Sequence, residues 1–245
     1  MTERSNRLLL GIAGLLVVSG LVHLGVFALD DRPWGGPVSW RKPFTFGLSF
    51  GVTLAAVVWL ARRLDVPGRS TLLWVFAIDC VVEVGGITLQ AWRHQPSHLN
   101  TSTPLNTAVA MSLAVGGGVL ILVLGIFAVA AVRGRTTGGP STEAAYRAGF
   151  ALLIVGLLSG AAMIARGSIA RADANTADVV YRVTGFVKDF HGVTLHGVLV
   201  LPAIDWILER LGTEPARRLT LVRSATTAYV LVALGVLALD LVRAF

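Results

Sequence analysis

Seven long apolar runs, separated by short polar connections, leave this chain of 245 residues one class of fold. They fall at approximately 8–29, 43–63, 70–92, 105–132, 145–166, 190–209 and 219–242. A bilayer core roughly 30 Å thick takes about 20 apolar residues per helix. In hydrocarbon every backbone N–H and C=O must find its partner inside the segment, which a helix achieves. The expected fold is therefore all-α, a polytopic membrane helical bundle of about seven transmembrane helices, forming a single transmembrane domain over residues 1–245. With 14% charged and 54% hydrophobic residues, the connections are too short and too few to build a separate soluble domain. Arg4 and Arg7 precede the first run as they would in a secretory signal, but the run is longer than a typical signal core and no A-x-A site follows, so it reads as a retained helix.

Charge sets the expected orientation. Seven spans place the N-terminus and the connections near 64–69, 133–144 and 210–218 on one side, and that side carries 12 of the 21 Lys and Arg residues. The positive-inside rule then predicts a cytoplasmic N-terminus. The net charge of +7 is spread in small groups at the ends of apolar runs. It anchors topology rather than forming a basic stripe, and with no P-loop and no G-x-G-x-x-G after a strand, neither nucleic acid nor nucleotide is an expected partner. The only cysteine, Cys80, excludes disulfides, CxxC redox motifs and c-type haem attachment.

Polar residues inside or beside the spans carry the functional reading. All five histidines, His23, His94, His98, His191 and His196, fall towards the side opposite the N-terminus. Histidine ligates metals and titrates near neutral pH; a bond to loop backbone is the plainer alternative. His191 and His196 stand roughly 140° apart around a helix, so they share an ion only if His191 precedes the first turn. Four carboxylates, Asp79, Glu83, Asp205 and Asp240, lie within spans, where each costs a few kcal/mol unless protonated or paired. Asp79, Glu83, Gly86, Gln90 and then Arg93 or His94 follow one helix face. Helix-packing networks are the expected role of Asp79 and Asp205, whereas Glu83 is the leading functional candidate. Thr45, Ser49 and Thr53 line a second small-polar face, and Gly47/Gly51 and Gly156/Gly160 form GxxxG pairs expected to pack helices within the chain. Gly116 to Gly118 mark flexibility or a close approach in the fourth span. No internal repeat supports an inverted-repeat transporter.

Two segments resemble a known pattern. QAWRHQPSHLNTSTPLN, Gln90 to Asn106, is similar to Q-x-x-R-G-x-x-S-H-[FY]-N-x-x-T, and DFHGVTLHGVLVLP, Asp189 to Pro202, is similar to H-F-x-G-L-H-A-x-Q-x-L-P. Both belong to a family of small uncharacterised bacterial multi-pass membrane proteins, whose second helix starts with a stretch like Trp40 to Phe44. The resemblance covers most of the chain and implies a bacterial plasma membrane. It emphasises Glu83, Gln90, Arg93, Ser97, His98, Asn100, His191 and His196. The chain departs from the pattern at His94, where the family has glycine, at Gly192, where it has an aromatic, and at Leu199, where it has glutamine.

Three functions follow as expectations. The first is an outward-facing polar site binding a metal, haem or a small lipophilic ligand. Haem, copper or zinc would be held by His98, His191 and His196 with His23 in reserve, and Gln90, Arg93, Ser97 and Asn100 would contact the cofactor. The second is an enzyme acting on a lipid or isoprenoid, with Glu83 as buried acid and Asp240 or a histidine as partner, since a desolvated carboxyl holds its proton and can donate it. Seven-helix membrane terpene cyclases are the analogy. The third is a transporter, receptor or assembly partner. The connection between the fifth and sixth spans, with Arg171, Asp173, Asp178, Tyr181 and Arg182, is either a lid or a tethered solvated loop.

Overall fold

The computed structural model describes residues 2–173 and 176–244. It is helical throughout: α1 (Glu3–Ala28), α2 (Arg41–Leu60, ending in a 3₁₀ turn at Ala61–Arg63), α3 (Arg69–Trp92), α4 (Pro104–Val132), α5 (Pro140–Ala172), α6 (Ala177–Thr184), α7 (Lys188–Arg210) and α8 (Pro215–Ala244). Seven of these are long and apolar enough to cross a membrane. The chain is thus an all-α polytopic membrane protein, with the seven spans the sequence predicts. The eighth helix, α6, replaces the expected loop between the fifth and sixth spans.

The helix ends follow local chemistry. Pro104, Pro140 and Pro215 each occupy the first helical position, where the missing N–H costs nothing and the fixed φ suits the helix. The apolar runs therefore begin one to five residues later than the helices. Thr2 caps α1 by accepting from the Ser5 N–H at 3.2 Å. Gly134 and Gly212, at φ of 73° and 68°, terminate α4 and α7 in the left-handed conformation that glycine adopts freely. Behind them, Arg135 N–H bonds Ala130 O at 3.0 Å and Thr213 N–H bonds Leu208 O at 3.1 Å, which satisfies carbonyls of the last turn. The end of α3 uses the same motif: Gln95 N–H bonds Gln90 O at 2.9 Å, but the left-handed residue is His94, at φ 56°. That backbone conformation is one that glycine adopts without the penalty a Cβ brings.

Two compact units divide the chain. The first comprises Met1–Trp59, Gly68–Val123 and Ser168–Tyr181. Within it α1 and α2 cross in close contact at glycine: a Cβ on Gly47 would lie 2.8 Å from Gly20 Cα, and one on Gly51 2.6 Å from Ala13 O. Trp74 of α3 donates to Ser5 Oγ at 3.0 Å. Trp40, just before α2, is buried at 2% exposure. Its ring stands 4.9 Å from Trp92 and 5.9 Å from His23, with the Arg32 guanidinium 4.0 Å from its face. Arg32 also clasps Asp30 through two nitrogens and donates to Ala91 O at 3.2 Å, and this guanidinium holds the Asp30 carboxyl well below the usual carboxylate range.

The second unit comprises Leu60–Pro67, Leu124–Gly167 and Arg182–Phe245. The second GxxxG pair packs α5 on α7. A Cβ on Gly156 would overlap the Leu195 side chain, and one on Gly160 would stand 2.8 Å from the His191 ring. Both GxxxG pairs thus serve packing within the chain. Asp205 of α7 belongs to a structural network, receiving a 2.7 Å hydrogen bond from Thr142 and a 3.3 Å ion pair from Arg218. Arg218 also reaches Glu209 at 3.5 Å, and Arg63 meets Glu209 at 3.0 Å.

Candidate functional site

α3 and α4 run antiparallel around the 93–103 connection, and the polar stripe of α3 faces α4 along its length. Gln90 Nε2 donates to Asn106 Oδ1 at 3.1 Å. A Cβ on Gly86 would meet the Leu113 side chain at 2.9 Å and that of Val109 at 3.6 Å. Further down, Gly116 lies against both carboxylates: an added Cβ would overlap Glu83 Oε1 and stand 2.8 Å from Asp79 Oδ1. Positions 106, 109, 113 and 116 recur every three to four residues, so they form one face of α4. Glycine at 116 makes the room that the two carboxylates occupy.

Asp79 and Glu83 are 7% and 3% exposed, one turn apart in the same span. Asp79 Oδ2 is buried without a hydrogen-bond partner. No ion pair reaches either residue among the described residues. Two charges so close and out of water cost several kcal/mol unless a proton or a cation accompanies them, and no side chain supplies one. Beside the pair is a cleft of about 420 Å³, lined by Asp79, Ser112 and Gly116 together with Val82, Met111 and Val115. Those three apolar residues are 46%, 58% and 65% exposed, so the cleft opens on the apolar flank of the span.

Above the pair, Gln90, Arg93, Ser97, His98 and Asn100 take part in building the connection itself. Arg93 donates to Gln90 Oε1 and, at 2.8 Å, to Asn106 Oδ1. Asn106 Nδ2 donates to Ser102 Oγ at 2.9 Å and to Gln95 Oε1 at 3.3 Å. Asn100 Oδ1 accepts from the Ser102 hydroxyl at 2.8 Å and from its N–H at 3.2 Å. Ser97 Oγ lies 2.9 Å from His98 Nδ1, and the His98 ring sits 6.1 Å from Phe46. Burial, with the positive Lys42 nearby, pushes the His98 imidazole down to about 4, so it is neutral at neutral pH. Gln90, Arg93, Ser97 and Asn100 thus spend their polar atoms on one another and on the loop.

The histidines are placed individually. His23 uses both ring nitrogens: Nε2 accepts from Trp92 at 3.1 Å, which leaves the proton on Nδ1 to donate to Ser19 O at 2.7 Å. His191 lies within α7, its N–H bonded to Val187 O at 2.9 Å. Its Nδ1 donates to Gly156 O at 2.7 Å. The irregular lead-in that a site shared with His196 requires is therefore not present, because α7 is already regular at His191. His196 is exposed and bonds its own helix at Gly192 O. Among the described residues no three His, Cys, Asp or Glu side chains gather as a metal ion needs. Asp240, paired with Glu83 in the sequence reading, accepts the Phe190 N–H at 2.9 Å and so caps the first turn of α7. Thr45 bonds back to Arg41 O at 2.7 Å. Tyr181 of α6 receives a 2.9 Å hydrogen bond from Arg41 at the start of α2.

Sequence reasoning did not single out Asn106, and it read Gly116 only as part of a glycine run marking flexibility or a close approach. Compared with protein-family models, curated proteins and solved structures, the chain matches none.

Proposed function

We propose that this multi-pass membrane protein binds a small lipophilic ligand bearing a positive charge, such as a protonated amine, at the Asp79–Glu83 pair. The observation that carries the reading is the buried, unpartnered Asp79 Oδ2 at the side of a cleft that Val82, Met111 and Val115 line with exposed apolar surface. A cationic head would supply the missing charge, and an aliphatic tail would lie along Val82, Met111 and Val115. Such a ligand enters laterally from the hydrocarbon and never crosses an aqueous mouth. Neutralising a desolvated carboxylate with a hydrogen-bonded cation contributes roughly 1.5–3 kcal/mol.

The test compares octylamine with octanol as additives in thermal unfolding of the detergent-purified chain. The amine raises the midpoint more than the alcohol, and Asp79→Asn with Glu83→Gln removes the difference. Equal effects of amine and alcohol on the native chain refute the reading. Acid catalysis on a lipid or isoprenoid is the second reading, favoured by the same opening of the cleft onto lipid. It predicts a Glu83→Gln variant that still binds the hydrocarbon but does not turn it over.

A further inference from the structure

The second unit holds a cavity of about 350 Å³ whose lining includes Arg166, Arg182, Lys188, Asp189, Asp240 and Arg243. Four cations thus converge on one hollow with two carboxylates, and both carboxylates are already engaged. Asp240 caps α7 through Phe190 N–H. Asp189 lies 3.9 Å from Lys188 and 3.5 Å from Arg243. Arg182 enters no ion pair among the described residues. The Arg166 guanidinium rests 4.6 Å from the centre of the Phe186 ring, which orients it at the cavity.

The cations also share a depth. Arg166, Lys188 and Arg243 stand where the apolar runs of α5, α7 and α8 end, which is the level of lipid headgroups. Arginine forks and a lysine ammonium converging from four helices suit a tetrahedral oxyanion better than a planar carboxylate, because donors arrive from several directions. We infer that this cavity is a binding site for a phosphate group, that of an anionic membrane lipid headgroup. Arg182 and Lys188, the latter held only by a 3.9 Å contact with Asp189, supply the donors, Arg166 closes the wall with Phe186, and Asp240 holds the first turn of α7 in place. The site is independent of the Asp79–Glu83 reading.

Equilibrium dialysis of the detergent-purified full chain against radiolabelled dihexanoylphosphatidylglycerol, with dihexanoylphosphatidylcholine as comparison, tests the assignment. Phosphatidylglycerol binds at least about tenfold tighter, since the choline of the other lipid is repelled by the same cations. Arg182→Gln with Lys188→Gln abolishes that preference, and Arg182→Lys retains most of it. Competition by inorganic phosphate means that the phosphate group alone suffices and a soluble phosphate is a ligand as well. No competition means that the lipid's glycerol and acyl portions are needed. Equal affinity for the two lipids in the native chain, or a preference that persists in the Arg182→Gln, Lys188→Gln variant, overturns the assignment. Should that variant aggregate, the native chain decides alone. A preference that collapses between about 0.05 and 0.5 M salt supports a charge-read site, and one that does not change overturns it.

Discussion

Replacing Gly116 with alanine sets two effects of similar size against each other, and Gly117 provides the control. Alanine in a helix interior gains up to about 1 kcal/mol over glycine. At Gly117 an added Cβ meets nothing within 4 Å, so Gly117→Ala collects that gain undiminished. At Gly116 the Cβ overlaps Glu83 Oε1 and crowds Asp79 Oδ1, so one or both carboxylates must leave their seats. Overpacking of this kind costs about 1–3 kcal/mol, and Gly116→Ala is therefore neutral to destabilising by about 2 kcal/mol. In a Glu83→Ala background the first overlap disappears and most of that cost with it. The double-mutant cycle between positions 83 and 116 then yields a coupling of about 1–2 kcal/mol. Stability read from reversible unfolding in mixed detergent and dodecyl sulfate micelles supplies the four values. A coupling below about 0.5 kcal/mol, or equal effects at 116 and 117, refutes the argument that Gly116 exists to seat the carboxylates.

His94→Gly stabilises the chain by roughly 1 kcal/mol, because glycine takes the left-handed conformation at the end of α3 without the penalty a Cβ brings; a loss of stability in the same micelle assay contradicts it. His98, lowered to about 4 from an ordinary 6.5, gives up stability as pH falls through 6.5 towards 4, since the unfolded chain takes the proton first. Its imidazole resonance titrates with a midpoint near 4, and a midpoint near 6.5 refutes the burial beside Lys42. Arg218→Gln leaves the buried Asp205 uncompensated and costs about 3 kcal/mol, whereas adding Asp205→Asn recovers part of that loss. Additive effects of the two substitutions on unfolding show that the pair is not coupled.

The spans were legible because lipid imposes a single rule on length and composition, and the apolar runs already display it. The helix starts at Pro104, Pro140 and Pro215 were legible too, once proline is read as a first-turn residue rather than a breaker. Glu83 and its stripe came from 3.6-residue periodicity alone. What periodicity of one helix does not show is which face of the neighbour it meets. Here the short connection between α3 and α4 held the answer, since residues equidistant from its centre near His98 must face each other in an antiparallel pair. Counting outwards brings Gln90 to Asn106 and comes within one turn of the observed meetings of Gly86 with Leu113 and of Glu83 and Asp79 with Gly116. The histidines mark a second limit. Their common side of the membrane is a statement about depth, whereas ligation demands convergence within a few ångströms, and each of His23, His191 and His196 is engaged by backbone of its own or an adjacent helix. His94 answers to backbone geometry, which composition does not reveal.

The glycine crossing of α1 on α2 bears on the order in which the protein assembles. Gly20, Gly47 and Gly51 let these two helices dock through backbone contacts that need nothing from later parts of the chain. As the polypeptide emerges, the pair is complete once the second span is in the bilayer, well before α7 and α8 are made. The first hairpin thus supplies an early seed against which α3 can insert, whereas Asp79 and Glu83 reach their seat at Gly116 only once α4 follows. A bulky residue at Gly47 would on this account lower the yield of correctly inserted protein more than it lowers the stability of the finished molecule.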